Sequence, residues 1–149
     1  MAADLAHSEE YFDFVSDLFR HPLVQSMAGS FSHGKTTVLE HCMAVSWHSY
    51  RLSRRLGLDA RAAARAGLLH DLYLYDWHLG HDYKGLHGFV HPQIALENAR
   101  ENFAVSPAEA DSIACHMWPL TLQPPRHRVG WVVCLVDKIC AIREMFGRA

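Results

Sequence analysis

The chain has 149 residues, 50% of them hydrophobic and 20% charged, and this balance excludes a largely disordered protein and predicts one globular domain. The formal net charge of -2 and the lack of a basic block argue against nucleic acid as a partner, although they leave room for a local basic pocket. No apolar stretch is long enough to cross a bilayer and no signal pattern opens the chain, so we expect a cytoplasmic protein that does not contact a membrane.

The first part of the chain predicts three helices. Apolar residues recur at helical spacing over 8–20, and 22–27 is a shorter candidate. Thr37 and Glu40 form a capping-box pattern, in which a hydroxyl and a carboxylate satisfy free backbone donors. A long helix should therefore start here, run to residue 56 and stop at Gly57.

The middle of the chain predicts one helix and one long loop. Asp59 can cap a helix over 60–70, whose many alanines would let it pack closely against a neighbour. Residues 72–90 contain glycines, histidines and aromatic residues without a periodic pattern, so we expect an irregular loop. A loop of this length in a compact domain is usually functional.

The remaining residues predict three more helices. Pro92 suits the first turn of a helix that ends near residue 102, and Ser106 with Glu109 forms a second capping box that opens a helix to about residue 116. The last helix, over 128–146, is apolar around most of its circumference, so we expect it to be largely buried. No segment alternates apolar and polar residues convincingly. The predicted fold class is therefore all-α, a single-domain helical bundle with five or more helices.

Asp137 is the clearest anomaly in the sequence, because it lies within the apolar stretch of the last predicted helix. A buried carboxylate needs a cation or hydrogen-bond donors. An ion pair with Lys138 is disfavoured because neighbouring helical residues point in different directions, whereas a pair with an arginine stays open. We favour a metal-binding or catalytic role for Asp137.

Histidines mark the other predicted helices. His41 lies on the apolar stripe of its helix, and the pair His70-Asp71 ends the next one. With one position from each later helix, the candidate set is His41, His70, Asp71, His91, His116 and Asp137. A helical bundle builds a metal site from one ligand per helix, and imidazole with carboxylate suits Mn, Fe, Zn, Ni or Co.

The order H…HD…D resembles the signature of the HD-domain superfamily of metal-dependent phosphohydrolases, over roughly residues 33–143 of a single HD-type domain of 1–149. The signature positions are matched by His41, His70, Asp71 and Asp137. By this resemblance these four residues would bind a first divalent ion, and Asp71 would bridge to a second ion held by His91 and His116, as in binuclear members. The cofactor would be one or two ions of Mn, Fe, Ni, Zn, Co or Mg.

The resemblance also implies a reaction. Metal-activated water would cleave a phosphomonoester or phosphodiester bond in a small phosphorylated substrate. A nucleotide-like molecule would be one such substrate. The HD-GYP subgroup has a GYP sequence and a lysine shortly after its HD pair. This chain has neither, which argues against cyclic dinucleotides as substrates.

Further side chains are candidates for catalysis and substrate binding. The catalytic candidates are Asp71 at the metal ions, Asp76 as a general base and His87 for proton transfer or substrate contact. The candidates for contacts with the phosphate-bearing substrate are His33, Lys35, Lys84, Arg126 and Lys138. Each cation in this set is, taken alone, more often a solvated surface residue.

Two other functions stay open. HD-type di-iron oxygenases, such as the myo-inositol oxygenase-like group, use the same six-ligand pattern, so the ligands alone do not separate them from hydrolases. A non-catalytic, nucleotide-binding HD module is the third interpretation, against which the complete ligand set counts. The sequence makes no prediction of oligomeric state.

Overall fold

The computed structural model describes residues 1–75 and 85–147. Within these residues it contains seven α-helices, a 3₁₀ turn at Ser26–Gly29 and an isolated antiparallel bridge between Phe31 and Thr37, but no strand. The helices are α1 Ala2–Phe19, α2 Pro22–Gln25, α3 Val38–Leu56, α4 Ala60–Leu69, α5 His87–Asn102, α6 Pro107–Cys115 and α7 Arg128–Met145. The predicted all-α fold with five or more helices is confirmed.

Side-chain caps bound the helices where the sequence predicts them. The Thr37 hydroxyl accepts a hydrogen bond from the Glu40 backbone N–H at 3.1 Å, and the Glu40 carboxylate accepts one from the Thr37 N–H at 2.9 Å. Gly57 ends α3 with a φ of 68°, a left-handed conformation that glycine adopts without strain. Asp59 caps α4 and Ser106 caps α6 through side-chain oxygens. The predicted caps are confirmed.

Two helices begin earlier than predicted. α1 begins at Ala2 instead of residue 8. The prediction missed its first turns because they are exposed and carry no apolar periodicity. α5 begins at His87 instead of Pro92, so the predicted irregular loop over 72–90 was wrong for its last four residues. Gly88 and Pro92 disfavour a helix locally, but α5 packs against α6, and tertiary packing overrides the local preference.

The helix α7 has a buried face and an exposed apolar face, so the prediction of a largely buried helix was wrong for one side. Trp131, Leu135 and Ile139 expose 42%, 53% and 46% of their surface, whereas Asp137 is only 8% exposed. The buried face of α7 packs against α3 and α6, and Asp137 lies on it. Among the described helices, none combines the length and the apolar character that crossing a bilayer requires.

The helices α3 and α4 approach each other closely at Gly67. A Cβ atom at this position would lie 2.7 Å from the Ser46 Cα and 2.8 Å from the Ser46 N. The Ser46 hydroxyl donates to the Ala64 carbonyl at 2.7 Å and accepts from the Tyr11 hydroxyl at 2.9 Å. This contact confirms the predicted close packing of the alanine-rich helix, and it positions the end of α4, where the histidine–aspartate pair follows.

Gly67→Ala should lower the free energy of unfolding by about 2 kcal/mol, because the new methyl group meets backbone atoms of α3 that cannot turn away. The gain in helix propensity of about 1 kcal/mol offsets only part of this strain. Urea unfolding measures the difference. Gly29→Ala is the matched control, since its Cβ would meet nothing within 4 Å. Equal stability of Gly67→Ala and the unmodified chain would contradict the close approach.

Candidate metal centre

Six side chains from five helices converge in the core. They are His41 in α3, His70 and Asp71 at the end of α4, His91 in α5, His116 at the end of α6 and Asp137 in α7. None of the six is more than 8% exposed. The structure thus brings together all the residues that the sequence selects as metal ligands.

The first half of the centre joins His41, His70 and Asp137. The Asp137 Oδ1 lies 2.8 Å from the His41 Nε2 and 3.2 Å from the His70 Nε2. The two Nε2 atoms are 3.3 Å apart. Two imidazole nitrogens and one carboxylate oxygen therefore face a common point.

The second half joins His91 and His116 to Asp71, which also reaches the first half. The Nε2 atoms of His91 and His116 are 2.9 Å apart, and the Asp71 Oδ1 lies 3.2 Å and 3.5 Å from them. The Asp71 Oδ2 lies 3.4 Å from the His70 Nε2 and 3.7 Å from the His41 Nε2. The carboxylate of Asp71 therefore directs one oxygen to each half.

The outer nitrogens of the histidines set which atom points to the centre. The Nδ1 atoms of His70, His91 and His116 each lie 2.7–2.8 Å from a backbone carbonyl about one turn earlier in the chain. A carbonyl only accepts hydrogen bonds, so Nδ1 carries the proton and donates it. When Nε2 carries no proton, it directs its lone pair into the centre, which is the state that binds a metal ion.

The spacing of these atoms fits a divalent ion in each half. Unprotonated Nε2 atoms that are 2.9 Å and 3.3 Å apart need a cation or a proton between them. Two ligand atoms bound at about 2.1 Å to one ion are separated by about 3.0–3.4 Å, depending on whether the geometry is octahedral or tetrahedral. The donor set of imidazole and carboxylate suits Mn, Fe, Co, Ni or Zn.

The carboxylates of the centre are held in the ionised form. Burial opposes the charged forms, but hydrogen bonds to the Asp137 and Glu144 carboxylates raise the pKa of His41 to about 10. Against its burial, the nearby charge of His70 and hydrogen bonds from both histidines of the first half lower the pKa of Asp137 well below its usual range. Burial also opposes the charged form of Asp71, but the charge of His70 and hydrogen bonds from His116 and His91 together lower its pKa well below its usual range. Both aspartates are therefore negatively charged in a buried site, and a divalent ion would balance this charge.

Glu144 is a further residue in contact with the centre, and the sequence analysis did not select it. Its side chain is 4% exposed, and its two carboxylate oxygens lie 2.8 Å and 3.0 Å from the His41 Nδ1. A carboxylate at this place orients a metal-binding imidazole and raises its basicity. Two signals could have revealed it. Glu144 follows Asp137 by seven residues, so it shares a helix face, and it puts a negative charge in a last turn, where the helix dipole disfavours it.

A cavity of about 700 Å³ opens onto the centre, a volume in the range of small-molecule sites. Four of the six centre residues line it. Three predicted substrate or catalytic residues, His33, His87 and Lys138, lie in its wall, together with apolar side chains such as Met117 and Leu120. The structure thus places part of the predicted substrate set beside the centre.

Two of these wall residues also touch the centre. The Lys138 Nζ donates to the His116 carbonyl at 3.0 Å, so it supports the end of α6. The His87 ring stacks on the His91 ring with 4.4 Å between their centres, and its Nδ1 lies 2.9 Å from the Tyr75 hydroxyl oxygen. Lys138 and His87 therefore couple the cavity wall to residues of the centre.

The other predicted substrate and catalytic residues are not at this cavity. Lys35 is exposed and lines a different cavity. Arg126 is exposed between α6 and α7, where its backbone N–H donates to the Asp111 carboxylate. Asp76 and Lys84 lie outside the described residues. The positions of Lys35 and Arg126 give no support to a role in binding substrate at the metal centre.

Comparison with known proteins finds one matching family and several similar proteins. The HD domain family matches residues 38–142, a stretch that contains all six centre residues. The chain is similar to Ribonuclease Y of Protochlamydia amoebophila, with 36% identity over 131 residues that cover 83% of this chain and 22% of that protein. Ribonuclease Y of Clostridium perfringens is 32% identical over 100 residues, which cover 64% of this chain and 18% of that protein.

A third relative carries a hydrolase name. The protein named "Putative phosphohydrolase YueE" of Bacillus subtilis is 34% identical over 64 residues, which cover 43% of this chain and 33% of that protein. The chain therefore spans between about a fifth and a third of the length of these three relatives.

Proposed function

Since this chain belongs to the HD domain family, we propose that it hydrolyses a phosphomonoester or phosphodiester of a small, nucleotide-like substrate with the help of divalent metal ions. Family membership and the similarity to a protein named as a phosphohydrolase support metal-dependent hydrolase chemistry at the level of the family. The observation that carries the proposal for this chain is the Asp71 carboxylate, whose two oxygens face two pairs of histidines.

The proposed ligand sets follow the two halves of the centre. They are His41, His70, Asp71 and Asp137 for one ion, and Asp71, His91 and His116 for the other. Bound divalent ions lower the pKa of coordinated water toward neutrality and neutralise charge on phosphoryl oxygens. The chain itself contributes ionised carboxylates and correctly oriented imidazoles, so binding requires little rearrangement.

Residues of the cavity wall are proposed to act on the substrate directly. His33 and His87 would contact the phosphate or exchange a proton with it, since imidazole serves as donor or acceptor near neutral pH. The centre of the His33 ring is 5.5 Å from that of His41, which puts it beside the first half of the centre. Lys138 and Lys84 stay proposed phosphate contacts, and Asp76 stays the proposed general base.

Metal analysis combined with turnover tests the proposal. We expect protein purified without chelator to contain a divalent metal and to hydrolyse p-nitrophenyl phosphate or bis(p-nitrophenyl) phosphate in the absence of oxygen. Iron near two per chain with turnover only in oxygen would instead identify an oxygenase. Protein with neither metal nor turnover would identify a binding module.

A phosphodiester in RNA is a second candidate substrate. The relatives named Ribonuclease Y, one of them similar over 83% of this chain, favour a diester over a monoester. A short single-stranded RNA therefore belongs in the assay. Cleavage of RNA and bis(p-nitrophenyl) phosphate without cleavage of p-nitrophenyl phosphate would select the diester, and the reverse pattern would select the monoester.

Glu144→Ala should weaken metal binding by about 10–100-fold, the usual effect of removing the outer partner of a metal-binding histidine. Glu144→Gln keeps an acceptor for the His41 Nδ1–H and should retain most of the affinity. Competition with a fluorescent chelator measures the dissociation constant. Glu101→Gln, which changes an exposed carboxylate on α5, is the matched control. Unchanged affinity in Glu144→Ala would show that Glu144 does not position His41.

A further inference from the structure

We propose that a groove between α3 and α7, separate from the metal centre, binds a small organic phosphate. Two adjoining cavities of about 760 Å³ and 220 Å³ form this α3/α7 groove, and they share His48, Cys140 and Arg143. The larger volume lies in the range of small-molecule sites.

Cationic side chains are concentrated along the groove. They are Lys35, Arg51, Arg55 and Arg143, and His48 lies among them. Arg51 and Arg55 are four residues apart on α3, a spacing that puts them on one helix face. These residues are scattered in the sequence and form no basic block, so the local basic pocket arises only when the chain folds.

The charge of the groove is not neutralised by its neighbours in the described part of the chain. Among the described residues, no carboxylate lies within 4.0 Å of the groove arginines or of Lys35, whereas Arg54 pairs with Glu10 at 3.3 Å and Arg65 with Asp17 at 2.7 Å. Two carboxylates also line the groove: Glu40, which accepts from the Thr37 N–H, and Glu144, which contacts His41. Four lysine and arginine side chains against two carboxylates leave an excess of positive charge in the groove.

The charged and apolar residues of the lining indicate the class of ligand that the groove binds. Arginine and lysine suit the geometry and charge of a phosphate group. Beside these cations lie Ala44, Met145 and the apolar residues Leu52, Val136 and Ile139. An inorganic anion would use only the cations, whereas a phosphate carried on an aromatic or apolar group would also cover the apolar wall. This combination favours an organic phosphate of mononucleotide size.

One turn of the chain separates the groove from the metal cavity. Ser32 and His33 line the metal cavity, whereas Gly34, Lys35 and Thr36 line the groove. At Gly34, with a φ of 58°, an added Cβ would lie 3.2 Å from the Glu144 carbonyl oxygen, so this turn packs against the end of α7. The two spaces thus have different linings, and ligands in them can be distinguished by substitution.

Calorimetric titration of the metal-loaded chain with AMP tests the proposal, and adenosine is the uncharged counterpart. We expect saturable AMP binding and at least roughly tenfold weaker adenosine binding. The double variant Lys35→Gln, Arg143→Gln should lower the AMP affinity by roughly tenfold or more, without changing the metal content. Arg100→Gln, which removes an exposed charge on α5, is the matched control and should bind AMP normally.

A second pair of variants distinguishes AMP binding in the metal cavity from AMP binding in the groove. AMP binding that persists in Asp137→Asn or His91→Ala, each shown to be folded by circular dichroism, would place the ligand outside the metal centre and support the proposal. AMP binding that is lost in these variants but unchanged in Lys35→Gln, Arg143→Gln would assign AMP to the metal cavity. That result would overturn the groove proposal and leave the proposed hydrolase function intact. Absence of AMP binding to the unmodified chain would also overturn it.

Discussion

Asp137→Ala should empty the first half of the metal centre and lower phosphoester turnover by more than about 100-fold. Its Oδ1 is 2.8 Å from the His41 Nε2 and 3.2 Å from the His70 Nε2, so it is the atom that both imidazoles share. Loss of an outer partner of a metal ligand already costs about 10–100-fold in affinity or activity, and loss of the ligand itself should cost more. Mass-spectrometric metal analysis and steady-state kinetics measure the two effects.

Two further variants make this result specific. Asp137→Asn keeps the shape of the side chain but removes the charge, and it should also lose metal, because an amide is a poorer ligand for a divalent cation. Asp13→Ala removes an exposed carboxylate on α1 and should change neither metal content nor turnover. Full metal occupancy with normal turnover in Asp137→Ala would show that Asp137 is not a ligand.

His91→Ala should reduce the metal content from two ions per chain to one. The second half of the centre consists of His91, His116 and one oxygen of Asp71 among the described residues. The first half keeps His41, His70 and Asp137, so it should retain its ion. Turnover should fall by more than about 100-fold if both ions act together on the phosphoryl group.

His87→Ala is the matched variant for this stoichiometry. Its ring stacks on His91, but only its backbone carbonyl bonds to the His91 Nδ1, and that carbonyl stays in the variant. His87→Ala should therefore keep two ions per chain. Two ions in His91→Ala, or one ion in the unmodified chain, would contradict a binuclear centre of this composition.

Much of the site could be predicted because burial makes polar residues conspicuous. A carboxylate at position 137 within an apolar helix, and His41 on an apolar stripe, are costly unless they share a function. The caps at Thr37 and Ser106 were also predictable, since capping is a local pattern of a few residues.

Other features depend mainly on tertiary contacts. The spacing of Glu144 from Asp137 and its place in a last helical turn are weak signals, and only the fold puts it against His41. The cations of the α3/α7 groove come from positions as distant as Lys35 and Arg143, so only packing brings them together. The early start of α5 at His87 was hidden by Pro92, because the contact with α6 outweighs a local preference.

A crystal structure of the chain grown with Mn²⁺, with anomalous scattering recorded, would locate the ions of a binuclear centre. We expect two anomalous peaks, one among His41, His70 and Asp137 and the other between His91 and His116, with Asp71 in contact with both. A structure in which Mn²⁺ binds elsewhere, while these six side chains pair only with one another, would contradict this expectation.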